Sequence, residues 1–252
     1  MSLLVDLNSD LGEGAGYDAE LFELITSANI ACGSHAGNPV SVLRSIRDAT
    51  QQNVAVGAHP SFLDRDNFGR VEIAMEPAEV FAQVTYQLGA FNALTTAVAT
   101  RMNHVKPHGA LYNMAVHDEG LADAIVRAIL VVDPYLFLFA PSNSALEHAA
   151  NAADVRVVHE VFADRNYLAD GSLVPRTRSD ALLTNPADAA KRALRMLREG
   201  KVQSVDGHDI DVVAETICVH GDNPTAVEFV RELRFQLQGQ GVRISAPHEL
   251  GA

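Results

Sequence analysis

Residues 3–14 read LLVDLNSDLGEG: an apolar start, Leu3 to Val5, that runs directly into Asp6, Asn8, Asp10 and Glu13. Carboxylates at the end of a buried strand are costly unless cations, a metal or water stand nearby. Polar strand ends are also where α/β enzymes build their sites. The same pattern recurs along the chain. Strand-like runs are expected at 3–7, 28–32, 54–58, 104–107, 136–140, 155–162 and 216–220, with a weaker eighth at 242–245. Ala-rich helical stretches alternate with them, at 38–52, 77–99, 119–131, 142–153, 186–199 and 224–238. Such alternation predicts a parallel sheet with crossover helices. Polar residues then recur after nearly every strand: Asp6/Asn8/Asp10, Asn29/His35, His59, Lys106/His108, Glu160/Asp164/Arg165 and His220/Asp222. An open doubly wound sheet draws its site chiefly from the strands at its switch point, whereas a closed barrel collects residues from all of its strands. The expected fold is therefore α/β, a (β/α) barrel of seven to eight strands.

Local punctuation agrees. Pro77, Pro186 and Pro224 stand near helix starts, where a missing N–H costs least, and Asn185 and Asn223 precede two of them as caps. KVQSVDGHDIDV (201–212) breaks the rhythm, and its Asp206-Gly207 predicts a small hairpin. Two connections, 59–76 and 163–185, are long enough to carry function. With no repeat, low-complexity tract or linker, residues 1–252 read as one domain.

Composition narrows the function classes. The chain has 252 residues, 48% hydrophobic and 20% charged, and lacks an apolar stretch approaching the ~20 residues that span a bilayer. No basic segment followed by a long apolar core marks an export signal. The two cysteines, Cys32 and Cys218, each end an apolar run and read as buried reduced thiols rather than nucleophiles. Nineteen basic against 32 acidic residues give a formal net charge of −13, a field that repels nucleic acid. The expectation is a soluble cytoplasmic protein with no nucleic-acid or membrane partner; a homo-oligomer stays open.

Five stretches carry chemistry. NIACGSHAGNP (29–39) and GAHPSF (57–62) place His35 and His59 just beyond adjacent strands. With Asp10 they form a candidate His/His/Asp metal site, the alternative being two hydrogen-bonded histidines that orient substrate or loop. VKPHGALYN (105–113) puts Lys106 at a strand end as a donor for a substrate carboxylate or oxyanion. His108 follows as general acid or base; the plainer alternative pairs Lys106 with Asp6 or Glu160. EVFADRNYLADGSLVPR (160–176) offers Glu160, Asp164, Arg165 and Arg176, and arginine's planar fork suits a small carboxylate. CVHGDNP (218–224) adds His220, with Asp222 as a turn cap. GEGAG (12–16) lacks the spacing of a dinucleotide fingerprint, and no phosphate-binding G-x-x-x-x-G-K-[ST] occurs.

Taken together, DLNSDLGE, NIACGSHAG, GAHPSF, VKPHGALYN, EVFADRNY and CVHGDNP resemble the LamB/YcsF family, the A subunits of 5-oxoprolinase, from about Leu4 to Ser245. The chain departs from the usual motifs at Ser9, Asn38, Leu63, Asn67, Val71 and the RSDA stretch (178–181), so thiol chemistry at position 9 is excluded. The resemblance implies a glycoside hydrolase/deacetylase-like barrel. It also implies that the chain opens 5-oxo-L-proline to L-glutamate with ATP, alongside B and C subunits that bind or share the nucleotide. In that chemistry Asp10, Glu13 or His59 serves as base, His108 protonates the departing nitrogen, and Lys106 and Arg165 hold the substrate. Asp6, Asn8, Asn29, Glu160 and His220 complete the expected substrate-binding set, while the candidate divalent metal at Asp10, His35 and His59 points to the first of the rivals. The rivals are a metal-dependent carbohydrate or amide deacetylase and a non-catalytic scaffold subunit.

Overall fold

A computed structural model describes residues 3–220 and 224–247; Asp222 and Asn223 lie outside them. The barrel begins with β1 (Leu4–Leu11), β2 (Ser27–Ala31), β3 (Ala55–His59), β4 (His104–Val105), β5 (Phe137–Ala140) and β6 (Arg156–Phe162). These pair in parallel in chain order, and β9 (Thr216–Val219) joins β6 to β1, closing a seven-stranded parallel barrel. The expected eighth strand is β10 (Arg243–Ile244), which pairs with Leu4 and Val5 of β1. Between β6 and β9, β7 (Lys201–Gln203) and β8 (Asp209–Asp211) form the predicted hairpin, antiparallel and apart from the barrel. Gly207 turns it at φ +82°.

The outer layer consists of α1 (Asp18–Phe22), α2 (Pro39–Gln51), α3 (Pro77–Ala97), α4 (Gly109–Ala115), α5 (Glu119–Val132), α6 (Ala145–Ala152), α7 (Pro186–Glu199) and α8 (Pro224–Gly239). Their starts follow the sequence chemistry. Asn38 accepts the Val40 and Ser41 N–H groups while Ser41 Oγ accepts the Asn38 N–H, a reciprocal cap before Pro39. Asn185 caps α7 in the same position relative to Pro186. Among the described residues no helix is long and apolar enough to cross a membrane.

Two interiors result. Outward-pointing strand residues such as Leu7, Leu11, Ile30, Val56, Val105 and Leu138 pack under the helices in the main apolar core. Inside the barrel, Phe137, Phe139 and Val158 form a small separate cluster on the β5–β6 side, and apart from Phe162, whose ring faces Lys106, the lumen around Lys106 is largely polar. The expected end of the first strand at residue 7 needs correction. β1 runs on to Leu11, so Asp6, Asn8 and Asp10 are not a loop beyond a strand but three inward positions of one strand, spaced by the period of two. HVKP likewise shortens to two residues, because Pro107 has no N–H for a further ladder bond. α1 follows the glycine-rich 12–16 stretch and was not marked by any helical pattern at sequence level.

Candidate active site

The C-terminal strand ends deliver the site. Asp10 is the penultimate residue of β1, Glu13 follows two residues after β1, His59 ends β3, Lys106 and His108 follow β4, and His220 follows β9. His35 stands in the β2–α2 loop.

Below the mouth, the polar lumen is a closed hydrogen-bonded column. Asp6 accepts from Thr26 and Ser27 at 2.6 and 2.8 Å and from Thr216 at 2.5 Å. Asn8 donates to Thr216 and Glu160 and accepts from Asn29. Asn29 also donates to Asp10 at 2.8 Å and accepts from His104 Nε2 at 2.8 Å. Glu160 accepts the Tyr112 hydroxyl at 2.8 Å. Burial, only partly offset by the Thr216, Thr26 and Ser27 bonds, raises the Asp6 carboxyl to about 6, and burial drops His104 to about 3. Asp6, Asn8, Asn29 and Glu160, expected to touch substrate, therefore lie beneath the mouth, their polar atoms engaged with one another.

Lys106 connects column to mouth. Its Nζ lies 2.9 Å from Glu160 Oε1, 3.0 Å from Cys218 Sγ, 3.1 Å from Asp10 Oδ1 and 3.3 Å from Asn8 Oδ1. Three protons face four acceptors, and the side chain is only 4% exposed, so none is left for a ligand. The expected substrate donor is instead a buried cation paired with Glu160, as the plainer alternative held, and it also fixes Asp10. Burial opposes its charge, but Asp10, Cys218 and Glu160 lift the Lys106 pKa well above its ordinary value. Burial likewise works to raise Asp10, and the His59 and Lys106 cations overcome it and hold that carboxyl well below the usual range.

Above Asp10 three histidines meet. His35 and His108 stack at 3.7 Å between centroids, 1° from parallel, and His59 meets both edge-on. His59 Nε2 and His108 Nδ1 face each other at 2.9 Å. The opposite nitrogen of each ring ends on a backbone carbonyl: His59 Nδ1 on Lys106 at 2.6 Å, His108 Nε2 on Phe68 at 2.9 Å. A carbonyl only accepts, so those nitrogens carry the hydrogens and the lone pairs of the neutral rings point at one another. Two facing lone pairs at that distance call for a cation between them, a proton or a metal. Burial opposes charging His59, but Asp10, with Oδ2 at 3.4 Å, outweighs it and raises the His59 pKa. Burial, then the neighbouring His59, takes His35 and His108 down to about 3. Glu13 closes the ring of groups, its Oε1 2.9 Å from His35 Nε2 and 3.4 Å from His108 Nδ1. Burial and then Asp10 raise the Glu13 carboxyl above its ordinary value.

Among the described residues, three donor sets have ligand atoms within 4.8 Å of one another: Asp10/His59/His108, Asp10/Cys218/His220 and Glu13/His35/His108. The expected trio of Asp10, His35 and His59 is not among them, because His35 turns to Glu13 rather than to Asp10. In the second set the Lys106 ammonium already lies against both Asp10 and Cys218. The Asp10/His59/His108 set fits a divalent cation best, with one carboxylate and two inward nitrogen lone pairs.

The remaining expected residues sit on the 163–185 segment or against it. His220 Nδ1 pairs with Asp164 Oδ2 at 2.7 Å. Arg165 donates through Nη2 to the Val174 carbonyl while its buried Nε has no partner, and burial lowers its pKa to about 10. Three contributors went unread in the sequence: His104, Tyr112 and Phe68. His104 had a legible signal, since His104 and Lys106 are two residues apart and so share the inward face. Gly57, opposite it in the ladder, has no side chain because a Cβ would stand 2.0 Å from His104 Nε2.

The LamB/YcsF family model matches residues 5–251. The chain belongs to the LamB/YcsF family. It is 46% identical to the lactam utilization protein from Thermus thermophilus, with a TM-score of 0.90 over 97% of this chain and 100% of that one. A polysaccharide deacetylase from Bacillus cereus aligns at 13% identity and TM-score 0.54, over 99% of this chain and 93% of its own. A family 4 carbohydrate esterase from Streptomyces lividans aligns at 10% and 0.52, over 97% and 92%. At those identities the last two share the fold alone: the barrel is of the deacetylase-like (β/α) type, as expected.

Proposed function

We propose that the chain is the A subunit of an ATP-dependent 5-oxoprolinase, opening the lactam of 5-oxo-L-proline to L-glutamate together with B and C subunits. The observation that carries this reading is Glu13, a carboxyl raised above its ordinary value by burial and then Asp10, 3.4 Å from His108 Nδ1 beside the Asp10/His59/His108 donor set, in a family whose relative is a lactam utilization protein. A five-membered lactam is unstrained and resonance-stabilised, so its opening needs activation. Transfer of the ATP γ-phosphoryl group to the lactam oxygen releases ADP and leaves a carbon open to water. ATP is bound by this chain, by the partner subunits or between them.

Glu13 takes a proton from the attacking water. The tetrahedral adduct then has two exits: loss of phosphate restores the lactam, while loss of the amine opens the ring. A proton on nitrogen selects the second exit, and Glu13 is placed to return the one it took. The product is an acyl phosphate of glutamate, which a second water converts to glutamate and inorganic phosphate. His35 orients Glu13 through Nε2, Lys106 fixes Asp10, and Arg165, with its unpartnered Nε, and His220 hold the substrate carboxylate. A divalent cation held by Asp10, His59 Nε2 and His108 Nδ1 would supply Lewis-acid polarisation at the reacting oxygen.

The Asp10/His59/His108 donor set also favours a second reading, a metal-dependent amide or carbohydrate deacetylase. Glutamate formation from labelled 5-oxoproline separates the two, measured with the chain alone and then with B and C subunits. Turnover only in the mixture, and only with ATP, is expected. No turnover with partners that work beside a control A subunit, together with ATP-independent deacetylation, overturns the first reading in favour of the second.

A further inference from the structure

The connection between β3 and α3 brings the Arg65 and Arg70 charges near His35, where they add to burial and His59 in lowering its pKa, and it also reaches the histidine cluster through its backbone. Residues 62–70 are wound tightly: Asp64 accepts the Asn67 N–H through Oδ1 and the Gly69 N–H through its carbonyl, the latter at 2.7 Å. Arg65 ties the segment to the Gly33 and Gly37 carbonyls of the β2–α2 loop. The winding ends with Phe68 at φ +57° and Gly69 at φ +63°. For glycine that conformation is free; for a bulky aromatic residue it is an outlier of the kind that gathers at functional sites.

Those two residues point their carbonyls at the β4–α4 turn. Phe68 O accepts from His108 Nε2 at 2.9 Å, and Gly69 O accepts from the Ala110 N–H at 2.9 Å. The fit leaves no room for adjustment. A Cβ on Gly69 would stand 2.3 Å from Ser61 Oγ, and one on Gly109 would stand 2.4 Å from Gly69 O. The Phe68 ring lies edge-on to both His35 and His108, with centroids 5.4 and 5.5 Å away, and the Arg70 guanidinium lies 4.8 Å from its centre.

We propose that Phe68 is a positioning residue whose positive-φ backbone delivers the carbonyl that holds His108 in the Nε2–H tautomer, so that its Nδ1 lone pair faces His59 Nε2. Lys106 O does the same for His59 from a regular strand end; Phe68 does it from a backbone conformation its own side chain disfavours. A carbonyl acting on a histidine from behind is a recognised way to set which nitrogen serves the site. The inference rests on the site assigned above but not on the reaction proposed for it, since the deciding readout is spectroscopic.

The test is ¹⁵N NMR of the imidazole nitrogens in the full chain, for the wild type and for Phe68→Gly, Phe68→Asn and Phe68→Val. Glycine and asparagine adopt positive φ readily, whereas branched valine resists it. Wild type, Phe68→Gly and Phe68→Asn are expected to show His108 protonated at Nε2 alone, and Phe68→Val to show the Nδ1–H form as well. A Phe68→Gly chain that folds but loses the Nε2–H signature overturns the proposal, because the ring rather than the carbonyl would then set the tautomer. A folded Phe68→Val with the wild-type signature overturns it equally. If valine prevents folding, the glycine and asparagine chains decide alone.

Discussion

Beneath the mouth, Asp6, Asn8, Asn29, His104, Glu160 and Thr216 are joined side chain to side chain, and none leaves a buried polar atom without a partner. At the mouth and in the loops around it, His35 Nδ1, Ser61 Oγ, Asp64 Oδ2, Asp164 Oδ1 and Arg165 Nε are buried with no partner, against Ser9 Oγ on β1 and Thr85 Oγ1 on α3 elsewhere among the described residues. At the mouth His59 and His108 also turn two lone pairs toward each other. Both regions are built of buried polar side chains. What separates them is satisfaction: a buried polar group normally has its hydrogen bond, so unpartnered ones concentrated at one end of a barrel mark where a ligand supplies the missing atoms. The column holds the mouth in shape, and the function proposed above puts the chemistry at the mouth.

That contrast can be broken first at its hinge. Lys106→Met strips the shared ammonium from two buried carboxylates, Asp10 and Glu160, and losing one partner of a buried ion pair costs about 3–5 kcal/mol. Urea unfolding should register that loss, so an inactive Lys106→Ala chain would not by itself show that Lys106 touches substrate. Unchanged stability would mean that the lysine is not held as described. Next in size is Gly57→Ala. The new methyl would collide with His104 Nε2 at 2.0 Å, and overpacking of this kind costs about 1–3 kcal/mol. Combining it with His104→Ala should recover most of that loss; if it does not, His104 is not what keeps residue 57 small.

The smallest effect lies outside the barrel lumen and sharpens the comparison by offering a salt-bridged histidine with no catalytic partner. His159 bonds Glu215 at 2.8 Å and Glu147 at 2.7 Å. The Glu215 hydrogen bond leads the causes that raise its pKa, against the cost of burial and with help from Glu147. A folded-state pKa above the unfolded value stabilises fully below about pH 6.5, and the contribution is lost as pH rises through the folded pKa. His159→Gln should therefore flatten the decline in unfolding free energy just above pH 6.5, by at most about 1 kcal/mol for so exposed a cluster. An unchanged pH profile would remove His159 from the account.

The barrel was legible because nearly every strand end carried a polar residue, and the α7 cap because Asn-Pro states its own geometry at Asn185. Depth was not legible. Asp6, Asn8 and Asp10 look alike in LVDLNSDL, and only the pairing register shows that the strand continues past residue 7 and sinks the first two below the mouth. His35 was assigned to a metal with His59 because both follow adjacent strands. Which way a loop histidine turns depends on Glu13, a contact between two loops that no periodicity encodes. Phe68 left still less trace, since its contribution is a carbonyl and a backbone angle rather than a side chain.

The most direct measurement of the division between column and mouth is the rate of glutamate formation from labelled 5-oxoproline by the A, B and C mixture carrying Glu13→Gln. The account predicts a loss of about 10²–10⁴-fold, the range for removing a general acid–base, with the urea midpoint of the chain unchanged. A rate within about twofold of wild type, in a variant that still folds, would contradict it, because the general base would then lie elsewhere.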